Sequence, residues 1–370
     1  MKRIMALFCA TWFLMFSVGG CVGNDSSQME SSTATESSAE NSQTEESSVV
    51  EQSMAESSSE ESSLVESSNY VVKVAALKGP TGMGLAKLID ENAAGESQNQ
   101  YDFTLASSAD EILANIIQGD FDIAAVPTNV ASILYNKTEG RIQMAAINTL
   151  GVLYVLSADD SIQSIADLAG KTVYSTGQGA VPEIAFNYIL EQNGLTPGED
   201  VTIEYRSEHS ELAALMASGE AEIAVLPQPF VTSVLNQNEN VHVVLDLTEE
   251  WNQVTNGESD LTMGCIVVQK SFAEEHPEEM AAFMEEYQAS VEYVTAEANL
   301  EDAAALIEKA DIIQAAVAQK ALPECNIVFI TGEEMENISN GFLQVIFDSE
   351  PTLVGGALPN EDFYYQLAAE

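Results

Sequence analysis

Residues 111–136 read EILANIIQGDFDIAAVPTNVASILYN, and residues 211–236, one hundred positions on, read ELAALMASGEAEIAVLPQPFVTSVLN. In each copy an amphipathic stretch ends at a glycine, Gly119 or Gly219, the residue that enters the left-handed conformation of a helix C-terminus without steric cost. Two acids follow, then four apolar residues (123–126 and 223–226), then Pro127 or Pro227. A short apolar run fenced by glycine and proline reads as a buried strand, and a parallel one, because helical crossovers cover both faces of parallel sheets. The segments upstream also correspond. VVKVAAL (71–77) leads into KGPTGMG and then the amphipathic LAKLIDEN, while KTVYS (171–175) leads into TGQGAVPE and then IAFNYILEQNG. The repeated unit is therefore strand, glycine-rich turn, helix, strand, helix, strand, proline, helix. Used twice, it predicts two α/β lobes facing each other across a cleft. Ligands of open α/β sheets lie beyond the carboxyl ends of the strands, where these turns sit.

The 370 residues are enough for two ordinary domains. Fifty-nine acidic residues against twelve basic ones give a net charge of −47, a field that repels nucleic acid and anionic lipid. Residues 22–69 carry eleven acids and no Lys or Arg, so residues 70–370 keep 48 acids against ten basic residues. The N-terminus carries Lys2 and Arg3, an apolar run over 4–18 and then Val18-Gly19-Gly20-Cys21. That pattern reads as a secretory signal over 1–20, too short to span a bilayer comfortably. Its last four residues resemble the bacterial lipobox, which implies cleavage before Cys21 and a diacylglycerol on its thiol; the plainer alternative is an ordinary signal with an incidental cysteine. Residues 21–69 are Ser, Glu, Thr, Gln and Ala with almost no large apolar side chain, a composition that cannot offset chain entropy and predicts a disordered tether. Of the four cysteines only Cys265 and Cys325 remain beyond it, as a disulfide or as two buried thiols.

Capping patterns at Ser108/Glu111, Ser164/Asp167, Ser271/Glu274 and Thr331/Glu334 each precede an apolar-periodic run. Extended runs at 144–157 and 260–271 predict two crossings between lobes. The expected layout is 70–155 for the first part of lobe 1, 156–260 for lobe 2, and 261–370 for the return to lobe 1. Helices are expected over 272–298, 300–310, 313–322 and 333–347, then an aromatic tail packed back on lobe 1.

Taken together, the lipobox, the Ser/Glu tether, Lys78-GPTGMG, Asp122-IAAVPTN, Ser161-IQSIADLAGKTVY, Glu222-IAVLPQP and Gly355-GALPNEDFYY resemble the solute-binding lipoproteins of ABC importers. The resemblance spans residues 70–370 and is nearest to the type II branch that takes up sulfonates, nitrate or the pyrimidine precursor of thiamine. It implies the two-lobed periplasmic-binding-protein fold, closing on a small polar or heteroaromatic molecule and delivering it to an ABC permease. It also implies a monomer, tethered through Cys21 to the extracytoplasmic face of the cell membrane, with no cofactor or metal.

The ligand-binding candidates lie in the turns. Lys78, Gly79, Pro80, Thr81 and Gly82 open a helix in lobe 1, and Thr176, Gly177, Gln178 and Gly179 are their counterparts in lobe 2. Backbone N–H groups at a helix start are free to meet acceptor atoms; the alternative is a tight connection that meets nothing. Thr128 and Asn129, with Gln228 and Phe230, follow the two prolines. They offer polar groups and a ring face, or else they cap a helix and fill the core. Thr149 and Met263 lie near the crossings, and crossings border the cleft in the family. Trp251 reads as a cleft wall or a loop anchor. Lys78 is best placed to meet an anion and Arg206 follows a lobe 2 strand, although either is as readily a partner for nearby carboxylates. So acidic a chain suggests a neutral or cationic ligand, unless amide dipoles bind an anion locally.

Enzymes on the same two-lobed fold, and a sensor presenting a bound solute to a receptor, are the rival readings. His209, His242 and His276 show no metal-ligand spacing, and Gly-x-Ser-x-Gly, CxxC and the phosphate-loop pattern are absent from the sequence. The reading favoured is a receptor without catalytic residues.

Overall fold

The computed structural model describes residues 70–366. The proposed signal, Cys21 and the tether lie outside the described residues.

The first half of the chain gives strands β1 (Val71–Leu77), β2 (Gln100–Ala106), β3 (Ile123–Pro127), β4 (Ile142–Leu150) and β5 (Leu153–Ser157), with helices α1 (Pro80–Met83), α2 (Ala86–Ala94), α3 (Asp110–Gln118) and α4 (Thr128–Lys137) between them. The second unit follows as β6 (Thr172–Thr176), α5 (Val181–Gln192), β7 (Thr202–Arg206), α6 (His209–Ser218), β8 (Ile223–Pro227), α7 (Phe230–Gln237), β9 (His242–Asp246) and α8 (Leu247–Val254). The chain closes with β10 (Thr262–Gln269), α9 (Lys270–Glu275), α10 (Pro277–Thr295), α11 (Leu300–Lys309), α12 (Ala315–Ala321), β11 (Ile327–Ile330) and α13 (Gly332–Ser349).

Two sheets form, in the orders β11-β4-β10-β3-β1-β2 and β7-β6-β8-β5-β9. Read from the β2 and β7 edges they are the same design. A parallel trio (β2-β1-β3 or β7-β6-β8) is followed by an antiparallel strand, β10 or β5, that reaches the sheet by crossing from the other one. The repeated apolar runs lie third in these orders, between a parallel and an antiparallel neighbour, and are buried almost throughout. Each is preceded by a helix that stops at a left-handed glycine, Gly119 (φ 82°) or Gly219 (φ 80°). The two-lobed α/β expectation is thus met.

The structure revises several local readings. Of the four capping patterns, Ser164/Asp167 forms a full reciprocal box, but on a 3-10 turn (Ile165–Leu168) rather than an α-helix. Glu111 accepts from the Ser108 amide at 3.1 Å. Ser271 lies inside α9 and caps nothing. The long helix expected over 272–298 breaks at His276, because Pro277 cannot continue the hydrogen-bond ladder and starts α10 instead. Trp251 is no wall of the cleft and does not lie at the surface, although it does anchor the loop before β10. It is fully buried, its indole donates to the Ser259 carbonyl at 2.9 Å, and its ring packs against Tyr188 and Phe342. The aromatic tail does return to the first sheet, with Tyr364 bridging to Met144 on β4 and Phe363 against Tyr135. Cys265 and Cys325 are buried free thiols whose pKa values burial pushes up. Among the described residues no helix is long and apolar enough to cross a membrane.

Candidate ligand site between the two sheets

A cavity of about 120 Å³ opens at the carboxyl ends of the parallel strands of both sheets. That is space for on the order of ten water-sized groups, a small molecule rather than a peptide. The first sheet contributes Lys78, Gly79, Pro80 and Thr81 after β1, Ser107 and Ser108 after β2, and Thr149 and Met263 from β4 and β10. The second contributes Gly177 after β6, Ser207 and His209 after β7, and Pro227 and Phe230 at the end of β8.

Packing sets the wall on the first side. Gly79, at φ 137°, turns the chain from β1 into the short α1. The Thr81 hydroxyl donates to the Leu77 carbonyl at 3.1 Å, and its methyl packs onto Gly264, where an added Cβ would come within 2.5 Å of it. A close backbone approach of β10 therefore fixes how Thr81 faces the cavity. Gly82, by contrast, lies behind the wall, its Cβ position 2.5 Å from the Leu77 carbonyl oxygen.

Apart from Gly177, the residues at the end of β6 and just after it have other duties. Thr176 is buried and its hydroxyl is bonded to His209 Nδ1 at 2.6 Å. Gln178 and Gly179 are exposed, and the Gly179 amide donates to Glu183 at 2.5 Å. The Gly179 carbonyl accepts from Asn129 Nδ2 at 3.1 Å, and Asn129 also donates to Leu353 O at 3.2 Å. Asn129 thereby ties the start of α4, next to the first sheet, to the turn after β6 in the second. Thr128 is wholly buried beside it with its hydroxyl unpartnered among the described residues. The Gln228 side chain turns away to accept from Thr232 at 2.8 Å. Of the fifteen ligand candidates, the structure brings Lys78, Gly79, Pro80, Thr81, Thr149, Gly177, Phe230 and Met263 to the cavity and leaves the other seven off its wall.

Ser107, Ser108, Ser207 and His209 line the cavity without having been singled out for it. The signal was the repeat itself read one strand further upstream, since Ser107 and Ser207 occupy equivalent places, again one hundred residues apart. His209 is crowded by protein on all sides except toward the cavity, 5.2 Å from the Phe230 ring centroid. That burial pushes its pKa down to about 4, so the imidazole is neutral at neutral pH. The other histidines lie elsewhere, His242 beside Asp160 and His276 against Tyr70 and Glu279. Among the described residues no group of His, Cys, Asp or Glu is arranged to hold a metal.

The electrostatics are local. The chain has 59 acidic residues, yet none of the described ones lines the cavity. Helices α3, α5, α6 and α7 all begin at its rim, and the start of a helix carries partial positive charge. Lys78 adds a full one, paired with Asp311 at 2.7 Å. Arg206 is turned to Glu204 and the Tyr174 ring instead.

Residues 96–320 match the family described as ABC transporter, phosphonate, periplasmic substrate-binding protein. The chain belongs to this family. As a substrate-binding protein it is an extracytoplasmic component of an import system. No curated protein matches its sequence. Solved structures show the same fold. An ABC transporter protein from Parabacteroides distasonis superposes with a TM-score of 0.66 at 24% identity, covering 80% of this chain and 99% of that one. The periplasmic aliphatic sulphonate binding protein SsuA of Escherichia coli gives 0.64 at 17% identity, with 81% and 93% covered. The alkanesulfonate-binding protein SsuA of Xanthomonas axonopodis pv. citri, bound to MOPS, gives 0.61 at 13% identity, with 76% and 94% covered.

Proposed function

We propose that this binding protein captures a small organic anion of phosphonate or sulfonate type in the cavity between its sheets and passes it to an ABC permease. The observation that carries the reading is the wall itself. In a strongly acidic chain, a cavity rimmed by four helix starts, one lysine and five hydroxyl side chains, with no described carboxylate on its lining, favours negative charge. The overall charge argued for a neutral or cationic ligand, but a buried anion responds to groups within a few ångströms, while distant exposed carboxylates are screened by salt. The sulfonate-binding relatives support the same class by their names. Phe230, the prolines and Met263 leave an apolar side for the organic part of the ligand.

On this reading the chain performs no chemistry. Its cavity histidine is held neutral by burial, and its Nδ1 is bonded to the Thr176 hydroxyl, which is buried off the cavity wall. The protein acts as a monomer, anchored by lipid at Cys21 outside the membrane, with the acidic tether giving it reach. Thermal-shift screening of alkylphosphonates, alkylsulfonates, pyrimidines and amino acids is the first test, because a ligand that binds only the folded state raises the melting temperature by mass action. Stabilisation by a phosphonate or sulfonate is expected; stabilisation by amino acids alone overturns the ligand class, and turnover of any of them overturns the receptor reading. Palmitate labelling of the wild type, abolished in Cys21→Ala, tests the anchor.

A further inference from the structure

Lys78 is the one cationic side chain among the described residues that line the cavity, and it already has a partner. Its ammonium donates to Asp311 Oδ2 at 2.7 Å, with the lysine side chain 29% exposed and the aspartate 95% exposed. Asp311 stands at the corner between α11 and α12, held at φ 57° with its amide bonded to the Glu308 carbonyl at 2.9 Å. The next residue, Ile312, is buried in the same apolar cluster as Met83, Leu85 and Leu88 of the first lobe, and its Cδ1 lies 3.7 Å from the Cβ position of Gly82. Both partners are therefore positioned by one core. The pair does not cross to the second sheet, so it is no clasp between lobes.

We infer that Asp311 is a built-in competitor for the ligand: its carboxylate holds the Lys78 ammonium while the cleft is empty and yields it to an anion that enters. The inference rests on the anionic-ligand reading above. The lysine is already drawn toward the cleft, and the aspartate, almost wholly exposed, loses little on returning to water. An entering anion gains only the difference between its own bond to Lys78 and the one it replaces. A neutral solute has nothing to exchange. Asp311 thus sets affinity and favours strongly charged groups over weakly charged ones, without touching the ligand.

Calorimetric titration of the full chain with methylphosphonate and ethanesulfonate at low ionic strength tests this, using wild type, Asp311→Asn, Lys78→Met, the double variant and Glu308→Gln. An exposed ion pair of this kind corresponds to roughly a two- to five-fold change in affinity. Asp311→Asn is expected to bind the probes that much more tightly, Glu308→Gln to match wild type, and Asp311→Asn to have no effect once Lys78 is Met. Equal or weaker binding by Asp311→Asn overturns the inference, because the pair then merely supports the turn. An equal gain in the Lys78→Met background also overturns it, because the aspartate then acts only through its distant field. If wild type and every variant bind neither probe, the anionic-ligand reading falls and this one with it; binding by wild type that Asp311→Asn leaves unchanged removes the competitor alone.

Discussion

The turn after β1 and the turn after β6 are written alike, KGPTGMG and TGQGAVPE, and they are put to different use. The first is packed from behind: Gly82 against Leu77, Thr81 against Gly264, Lys78 toward Asp311. It forms a rigid wall with one charge. The second stands in the open, its Gly179 amide taken by Glu183 of its own helix and its carbonyl by Asn129 from the other lobe. It behaves as a fastening between the sheets, and only Gly177 of its glycines reaches the cavity. A glycine-rich turn at a helix start supplies free N–H groups only where no nearby carboxylate has claimed them first.

The sharpest way to break this contrast is to fill the space behind the first wall. Gly264→Val drives a side chain into Thr81 and Asn148, whose nearest atoms lie 2.5 and 2.7 Å from the Cβ position. Overpacking of that kind costs about 3 kcal/mol, so denaturant midpoints should fall steeply and binding should be lost. Gln178→Ala, in the exposed counterpart turn, should stay within about 0.5 kcal/mol of wild type. Comparable losses for both would erase the distinction between wall and fastening.

His209 gives the next largest effect. Its pKa is about 4 in the folded chain, against an ordinary value of 6.5. As pH falls the unfolded chain takes up the proton first, so this contribution is complete above about pH 6.5 and is lost on the way down to pH 4. Discounted for the exposure His209 keeps toward the cavity, the loss is about 2 kcal/mol. The many carboxylates also titrate in this range, so the measure is the difference between wild type and His209→Gln across pH 4 to 7. Parallel curves would mean that the imidazole is not held neutral.

Asn129→Ala sharpens the comparison from the other side. It removes the hydrogen bonds to Gly179 and Leu353 and should cost about 2 kcal/mol, with a weakening of ligand binding if the fastening helps hold the lobes together. Unchanged binding would reduce Asn129 to a local packing residue.

The architecture was legible because the repeat carries its own punctuation. Gly119 and Gly219 stop helices, Pro127 and Pro227 stop strands, and the apolar runs between them are buried in the middle of each sheet. Strand direction was legible only in part: β1 and β3 pair in parallel as expected, whereas β10 and β5 arrive from the other lobe and run antiparallel, a long-range arrangement that no local pattern encodes. Lys78, Gly79 and Thr81 could be found because a turn after a parallel strand lies at the carboxyl edge of the sheet, where the cleft opens. Thr176, Gln228 and Asn129 could not be sorted the same way, because whether a polar side chain faces a ligand depends on whether His209, Thr232 or Gly179 reaches it first. The competing partners are distant in sequence or one helical turn away on a face not yet placed. Trp251 misled for a related reason, since the polar residues around it in sequence lie on the opposite face of α8 from the core that encloses it.

The proposed role requires that a small anion sit between the two sheets, held there by Lys78 and the helix starts around it. Equilibrium titration of the full chain with alkylphosphonates, alkylsulfonates and nitrate, compared with Lys78→Met, tests it most directly. A saturable one-to-one complex with at least one of these anions, weakened roughly ten-fold or more in Lys78→Met as befits a lost charge-assisted hydrogen bond, is the predicted result. Tight binding of a neutral or cationic solute with no response to any anion, or anion binding indifferent to Lys78→Met, would contradict it.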